Sequence, residues 1–253
     1  MLKKDVVAGL GEIGFPIYRL ISKSFPVQGY DIDINLIPTS KKKLDNHTVR
    51  FLHICIPYNL KFIQNVLKLN KKFSPECIVL HSTIKPETTK NLQKKITVPI
   101  IYSATRGVHK RMISDLKKYT KFFALDEKLP NSKSISHQYV QLMRKSGIKT
   151  KKMSSPLTLE LAKIICDTSY YGWLINFAQI SKIISDKHAV DYDEMWSFSD
   201  EIHKFLGNRP KLFPGFIGGH CVIPNLELIN EKSLNQIDQI NKIFEKFLNE
   251  NKL

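Results

Sequence analysis

A histidine and a cysteine follow two glycines in the run FPGFIGGHCVIPN, residues 213–225. The thiolate of a cysteine is a strong nucleophile, and cations or hydrogen-bond donors nearby favour it over the thiol. His220, the glycine amides and Lys163 could supply such groups. Cys221 is therefore a candidate nucleophile, with a buried loop cysteine as the alternative. We expect His220 to be structural, because adjacent side chains tend to point apart.

A second chemically informative run lies near the start of the chain. Gly9, Gly11 and Gly14 form the pattern G-x-G-x-x-G between a strand-like and a helix-like segment. These glycines permit a tight turn, the approach of a pyrophosphate and close helix–strand packing. A helix N-terminus also attracts phosphate. The turn predicts a dinucleotide site with these contacts: Gly9, Gly11, Glu12, Ile13 and Gly14.

The next strand-like run, PVQGYDID, ends close to Asp31. A carboxylate at this position would accept hydrogen bonds from both ribose hydroxyls and would repel a 2′-phosphate. The sequence therefore favours NAD over NADP. The alternative is a surface turn in which the aspartate has no ligand.

Further apolar runs of strand length alternate with helix-like segments through the first half of the chain. The strand-like runs are VRFLHICIP (49–57), CIVLHST (77–83), VPIIYSAT (98–105) and KFFAL (121–125). This alternation predicts a parallel α/β sheet, and ligands bind such sheets at the carboxyl ends of the strands. The polar and turn residues expected at that edge are Pro57, Ser82, Thr83 and Thr105.

The segment 155–185 has few helix breakers and carries apolar residues at helical spacing. It predicts one long helix, which Ser155 or Thr158 could cap. Because the helix is apolar around much of its circumference, we expect it to be buried on several sides. Pairing with its symmetry mate through residues 156–185 would give a homodimer.

The composition limits the classes of partner. The net charge is +16, but lysines are scattered along the whole chain, so we expect no nucleic-acid partner. A positive field would still attract an anionic small molecule. No apolar stretch approaches the roughly 18 residues of a membrane helix. The cysteines show no metal-ligand spacing, which favours a reduced cytoplasmic protein without a metal site.

The runs VAGLGEIGFP, HICIPYN, VLHSTIKPETT, LELAK and FPGFIGGHCVIPN occur in this order. With them the chain resembles the UDP-glucose/GDP-mannose dehydrogenase family, and the last run is most similar to the branch that oxidises UDP-N-acetylmannosamine or UDP-N-acetylglucosamine. The resemblance covers nearly the whole chain. It implies a Rossmann-like NAD-binding domain over residues 1–152 and an all-α domain with a long central helix over residues 153–253.

The resemblance also implies chemistry, namely two successive oxidations of a sugar C6 alcohol with NAD. Cys221 would trap the intermediate aldehyde as a thiohemiacetal, a second oxidation would give a thioester, and water would release the acid. Lys163 would stabilise the oxyanion, and Thr83 would position water. The implied substrate is an anionic sugar or sugar nucleotide, and folding is expected to bring Cys221 to the dinucleotide crevice.

Several positions depart from the family pattern. The aspartate that follows the family cysteine is Asn225, which cannot act as a base, and the glutamate of a Pro-Glu-Arg motif is Thr105. The family asparagine one turn after the lysine is Asp167, which could pair with Lys163 and keep its amine protonated. Hydride transfer from an alcohol is therefore better supported than full oxidation to the acid.

Two regions also look shortened relative to the family. The segment between Asp33 and Val49 is too short for the usual helix and strand, so we expect a trimmed cofactor domain. After Cys221 the chain has mostly one amphipathic stretch rather than a nucleotide-binding domain. Its predicted packing stripe consists of Ile237, Ile240, Phe244, Phe247 and Leu248.

Three functions remain open from the sequence. The first is a dehydrogenase of a sugar or sugar-nucleotide alcohol that uses Cys221. The second is a β-hydroxyacid dehydrogenase, which needs Lys163 but not the thiol. The third is a non-catalytic NAD-binding homologue.

Overall fold

The computed structural model describes residues 2–38 and 46–251. Its contacts divide the chain into two compact units, Met1–Leu161 and Ala162–Leu253. This division falls inside the long helix, whereas the domain boundary that the family resemblance implies follows residue 152. That earlier boundary stays a prediction.

The first unit is built on a five-stranded parallel sheet of order β2-β1-β3-β4-β5. Parallel sheets are buried on both faces, and these strands accordingly read as nearly continuous apolar runs. The strand order reverses between β1 and β3, and sheets of this kind generally bind ligands outside the carboxyl ends of the strands at such a point. The strands are β1 (Lys3–Ala8), β2 (Val27–Tyr30), β3 (Thr48–Ile54), β4 (Cys77–Leu80) and β5 (Ile100–Tyr102).

Helices cover both faces of this sheet, and each face has its own apolar cluster. The helices of this unit are α1 (Gly14–Ile21), α2 (Phe62–Phe73), α3 (Thr88–Gln93), α4 (Met112–Lys118) and α5 (Ser132–Lys145). The fold class predicted from the sequence, a Rossmann-like parallel sheet followed by helices, is confirmed.

The run at 121–125 does not continue the main sheet. It forms β6 (Lys121–Phe123), which pairs in parallel with β7 (Thr150–Lys152) in a separate two-stranded sheet. Its link to β5 is a single antiparallel bridge between Tyr102 and Ala124. The connection between β2 and β3 contains a short 3-10 turn, Ile34–Leu36, within residues 33–38. The rest of the predicted shortening lies in residues 39–45, outside the described residues.

A helical run of 32 residues covers Pro156–Lys187. It consists of α6 (Pro156–Ala162), a π-helical segment (Lys163–Ser169) and α7 (Tyr170–Lys187). The hydroxyl of Ser155 accepts a hydrogen bond from the backbone N–H of Thr158 at 3.1 Å, which confirms the predicted cap. The π-helical segment was not predicted.

The second unit packs α7 against three further helices: α8 (Tyr192–Leu206), α9 (Val222–Ile229) and α10 (Asn235–Asn251). The predicted stripe on α10 is buried at Ile237 and Phe244, and its other members are partly buried. A small apolar core of the second unit consists of Ile217, Val222, Leu226 and Ile237. The core joins α9, α10 and the loop before Cys221.

Candidate active site

The three glycines of the first turn meet different surroundings. A Cβ on Gly14 would lie 1.6 Å from the carbonyl oxygen of Gly9, so α1 and β1 can approach only through a glycine. Gly9 has a φ of +89°, and a Cβ there would lie 2.9 Å from the backbone of Cys55. A Cβ on Gly11 would meet no described atom within 4 Å. The described chain therefore explains two of the glycines, and the space at Gly11 fits an approaching pyrophosphate.

Asp31 directly follows β2, and its carboxylate is held beside the glycine turn. One oxygen accepts from the N–H of Leu10 at 2.6 Å, and the other accepts from the N–H of Asp33 at 3.0 Å. A carboxylate has about four lone-pair sites, so both oxygens can still accept ribose hydroxyls. The residues present at this edge of the sheet thus fit a dinucleotide.

Glu12 makes a contact that no sequence pattern indicated. Its carboxylate lies 2.6 Å from Nδ1 of His109, which belongs to the segment after β5. The side chain of Glu12 is 64% exposed. This pair joins the glycine turn to the loop across the carboxyl edge of the sheet.

The other predicted edge residues follow the carboxyl ends of β3, β4 and β5 in the chain. Pro57 is exposed, and Thr83 is partly buried after β4. The hydroxyl of Ser82 donates to the carbonyl of Ile56 at 2.5 Å and so links the loops after β3 and β4. Thr105 is buried, and its hydroxyl accepts from the ammonium of Lys121 at 2.9 Å. Where the family has a glutamate, this chain therefore has a hydroxyl in a hydrogen bond with a lysine.

Two histidines are buried in the sheet beneath this edge. Nδ1 of His53 and Nε2 of His81 lie 2.9 Å apart. Burial, with smaller effects of Arg50 and Lys121, lowers the pKa of His53 to about 3. Burial also lowers the pKa of His81 well below its ordinary value. Both imidazoles are therefore neutral at physiological pH.

The cysteines of the first unit are unsuited to nucleophilic chemistry. Burial raises the pKa of Cys55 to about 12 and raises the pKa of Cys77 further. The thiolate is the nucleophilic form, so these two side chains act as small apolar groups. Cys166 and Cys221, both in the second unit, are exposed free thiols.

Cys221 stands at the N-terminal cap of α9, after Gly219, whose φ of +75° favours glycine. Helix α9 packs against the π-helical segment, which begins at Lys163. A Cβ on Gly172 would lie 2.8 Å from Val222, which shows how closely α9 approaches the long helix. The cysteine loop and the π-helical segment thus belong to one packed region.

The ammonium of Lys163 lies 2.5 Å from the carboxylate of Asp167. The Lys163 side chain is only 10% exposed, so its charge has a partner in a largely buried setting. π-helical turns within α-helices are often found at functional sites. Asn225, in place of the family aspartate, is buried in α9, and His220 is exposed. That Cys221 and Lys163 lie near the glycine turn of the first unit stays a prediction.

Within residues 2–38 and 46–251, no cluster of three or more His, Cys, Asp or Glu side chains could hold a metal ion. No helix in those residues is both long and apolar enough to cross a membrane.

Comparison with known proteins finds similarity only at the level of structure. No protein-family profile matches the chain, and no curated protein matches its sequence. A UDP-D-ManNAc dehydrogenase from Pyrococcus horikoshii superposes with a TM-score of 0.79 at 16% identity, over 96% of this chain and 69% of that one. The UDP-N-acetyl-mannosamine dehydrogenase of Staphylococcus aureus gives a TM-score of 0.71 at 17% identity, over 97% and 69%.

A shorter neighbour is 3-hydroxyisobutyrate dehydrogenase from Mycobacterium tuberculosis, with a TM-score of 0.67 at 14% identity. This match covers 98% of the present chain and 94% of the mycobacterial one. At such identities the likeness concerns the fold. The chain has the fold shared by nucleotide-sugar dehydrogenases and a hydroxyacid dehydrogenase.

Proposed function

We propose that the protein is an NAD-dependent dehydrogenase that oxidises the alcohol of a sugar or sugar nucleotide, with Cys221 as nucleophile. The observation that carries the proposal is the glycine turn, in which Gly11 faces open space while the chain itself crowds Gly9 and Gly14. Asp31 is held beside that turn and could take the ribose hydroxyls. Dehydrogenases among the structural neighbours support the same class of reaction.

NAD, when bound, would accept a hydride from the alcohol carbon. A water positioned by Thr83 would take the proton of the alcohol. Cys221 would add to the resulting aldehyde, and the ammonium of Lys163 would stabilise the oxyanion that forms. The carboxylate of Asp167 would orient that ammonium, because it lies 2.5 Å away.

The second oxidation has less support in this chain. Release of an acid from a thioester needs an activated water. Thr105 replaces the family glutamate, and its hydroxyl is already hydrogen-bonded to Lys121. We therefore propose the alcohol-to-aldehyde step as the main reaction.

The test is NADH formation with a panel of alcohols that includes UDP-N-acetylmannosamine. One NADH for each substrate consumed supports the single step, and two would show that full oxidation occurs. Cys221→Ser should abolish trapping of the aldehyde, and Cys166→Ser is the matched control at an exposed thiol of the same unit. Tight NAD binding without NADH from any alcohol would instead support a non-catalytic NAD-binding protein.

A β-hydroxyacid dehydrogenase is the second candidate. It is favoured by the match over 94% of the length of the mycobacterial 3-hydroxyisobutyrate dehydrogenase. In that case 3-hydroxyisobutyrate or a related hydroxyacid would give NADH, and Cys221→Ser would keep most of the activity. Lys163→Met should inactivate a β-hydroxyacid dehydrogenase, and under the first candidate it should slow the trapping of the aldehyde by Cys221.

We also propose a homodimer formed through the long helix and its neighbour α8. Large apolar side chains are exposed on both helices, including Phe177 at 59% and Phe198 at 88%. Exposed apolar patches of this kind mark interaction surfaces. Light scattering should give twice the monomer mass, and a monomer at micromolar concentration would contradict the dimer. A cytoplasmic location fits the four free cysteines.

A further inference from the structure

Three of the side-chain amides buried in the helical unit form one hydrogen-bonded group. Asn176 and Gln179 lie on α7, Asn241 lies on α10, and all are at most 2% exposed. Burying an amide without a hydrogen-bond partner costs a few kcal/mol, so the partners of such groups indicate what the amides stabilise. Here the partners include the backbone of the cysteine loop.

Hydrogen bonds between these amides connect α7 with α10. Asn176 donates through Nδ2 to Oε1 of Gln179 at 2.8 Å and to the carbonyl of Ile237 at 3.2 Å. Gln179 then donates through Nε2 to Oδ1 of Asn241 at 3.0 Å. The side chain of Gln179 is thereby fixed from both sides.

The loop is held at two successive points. Nε2 of Gln179 also donates to the carbonyl of Gly215 at 2.7 Å. Asn241 accepts from the N–H of Ile217 at 2.8 Å and donates to the carbonyl of the same residue at 3.0 Å. One amide thus satisfies both backbone groups of Ile217, as a neighbouring strand would.

These anchors lie directly before the two glycines of the loop. Gly218 and Gly219 follow Ile217, and a Cβ on Gly219 would meet no described atom within 4 Å. On the other side of Cys221, Val222 packs tightly against Gly172 on the long helix. The segment that carries Cys221 therefore lies between two fixed points. One is Ile217, which Asn241 holds, and the other is Val222 on α9.

We propose that Gln179 and Asn241 are positioning residues for Cys221. They contact the backbone of the cysteine loop and act on the reaction only by fixing where the sulfur lies. The proposal rests on the proposed function in one respect, the assignment of Cys221 as nucleophile. Because misplacement of a reacting group by about 1 Å can cost about a hundredfold in rate, loss of either anchor should strongly slow the addition of Cys221 to the aldehyde.

The variants are Gln179→Met, which removes one bond to the loop, and Asn241→Leu, which removes two. The matched control is Phe244→Leu, because Phe244 is fully buried on the same helix α10 and carries no hydrogen-bonding group. Thermal unfolding shows which variants fold. If Asn241→Leu does not fold, Gln179→Met alone decides the test.

The first measurement needs no substrate. Iodoacetamide labels Cys221 and Cys166, and the ratio of the two rates is followed by peptide mass spectrometry. Release of the loop should raise the rate at Cys221 at least threefold relative to Cys166, whereas Phe244→Leu should leave the ratio unchanged. An unchanged ratio in the folded amide variants overturns the proposal, and so does an equal change in Phe244→Leu.

The second measurement is trapping of the aldehyde by Cys221 in the full chain. The amide variants should lose about tenfold or more in the rate of trapping at unchanged KM for NAD, because the dinucleotide site lies in the other unit. A general loss of stability would instead affect Phe244→Leu to the same extent and overturn the positioning role. If the unaltered protein forms no NADH at all, the proposed function fails, and the labelling ratio alone decides the loop anchoring.

Discussion

The carboxylate of Asp31 accepts a hydrogen bond from the backbone N–H of Leu10 at 2.6 Å. The bond ties the end of β2 to the glycine turn and holds the aspartate at the edge where a ribose would lie. A predicted specificity residue is thus already oriented within the first unit.

Asp31→Ala should weaken NADH binding about tenfold to a hundredfold, because hydrogen bonds to a charged group are worth about 1.5–3 kcal/mol. It should weaken NADPH binding less, because the repulsion of the 2′-phosphate is removed. Fluorescence titration with both nucleotides measures the two affinities. Asp33→Ala is the neighbouring control, and an equal effect there would contradict a specific role of Asp31.

Gly11→Ala and Gly14→Ala should separate ligand binding from folding. The methyl group on Gly14 would collide with the carbonyl of Gly9, so we expect a loss of more than about 3 kcal/mol in the free energy of unfolding. Gly11→Ala should change stability by no more than about 0.5 kcal/mol, yet weaken NAD binding at least tenfold. Urea unfolding and NAD titration measure both effects. Full NAD affinity in Gly11→Ala would argue against a pyrophosphate at this turn.

The buried histidine pair should make the first unit sensitive to acid. The pKa of His53 is about 3 in the folded chain and near 6.5 when unfolded, and burial lowers the pKa of His81 in the same direction. The unfolded chain therefore binds protons first as the pH falls. The free energy of unfolding is therefore unaffected by protonation of the histidines above about pH 6.5. Below that pH it decreases by about 1.4 kcal/mol per pH unit for each histidine.

Urea unfolding between pH 7.5 and 4.5 tests this dependence. The double variant His53→Leu/His81→Leu should flatten the curve over that range. The same slope in the double variant would assign the acid sensitivity to other groups.

The pair of Glu12 and His109 should affect cofactor binding more than stability. Exposed ion pairs contribute about 0–1 kcal/mol to folding, so Glu12→Gln should leave the unfolding midpoint nearly unchanged. Glu12 adds a negative charge to a turn expected to bind pyrophosphate. Its neutralisation should tighten NAD binding a few-fold, and His109→Gln should weaken it. Calorimetric titration with NAD at low salt measures the affinity of both variants. Weaker NAD binding by Glu12→Gln would contradict this account.

Local patterns in the sequence predicted most of the sheet and the start of the long helix. The strand runs ending near Gly9, Asp31 and Pro57 alternate with helices. The hydrophobic periodicity that identifies such elements depends on neighbouring residues alone. The same signal could not show that β6 leaves the main sheet, because pairing partners are set by tertiary contacts. Nor could helical spacing reveal the π-helical segment, since seven residues are too few to separate the two periods.

The polar interior of the second unit was missed for a different reason. The stripe of Ile237 and Phe244 was predicted, whereas the sequence pattern indicated no role for Asn241, which lies between them. Buried amides are recognised only when their distant partners are known. Ile217 lies 24 residues from Asn241, and Gly215 lies 36 residues from Gln179. The contact of Glu12 with His109 is of the same kind.

The anchoring of the cysteine loop by α10 orders events during protein synthesis. Residues 213–221 leave the ribosome before Asn241 does, so the emerging loop at first lacks one of its two supports. The thiol can reach its final placement only when α10 has also emerged and packed. Until then we expect the thiol to react more readily with oxidants or alkylating compounds than it does in the folded chain.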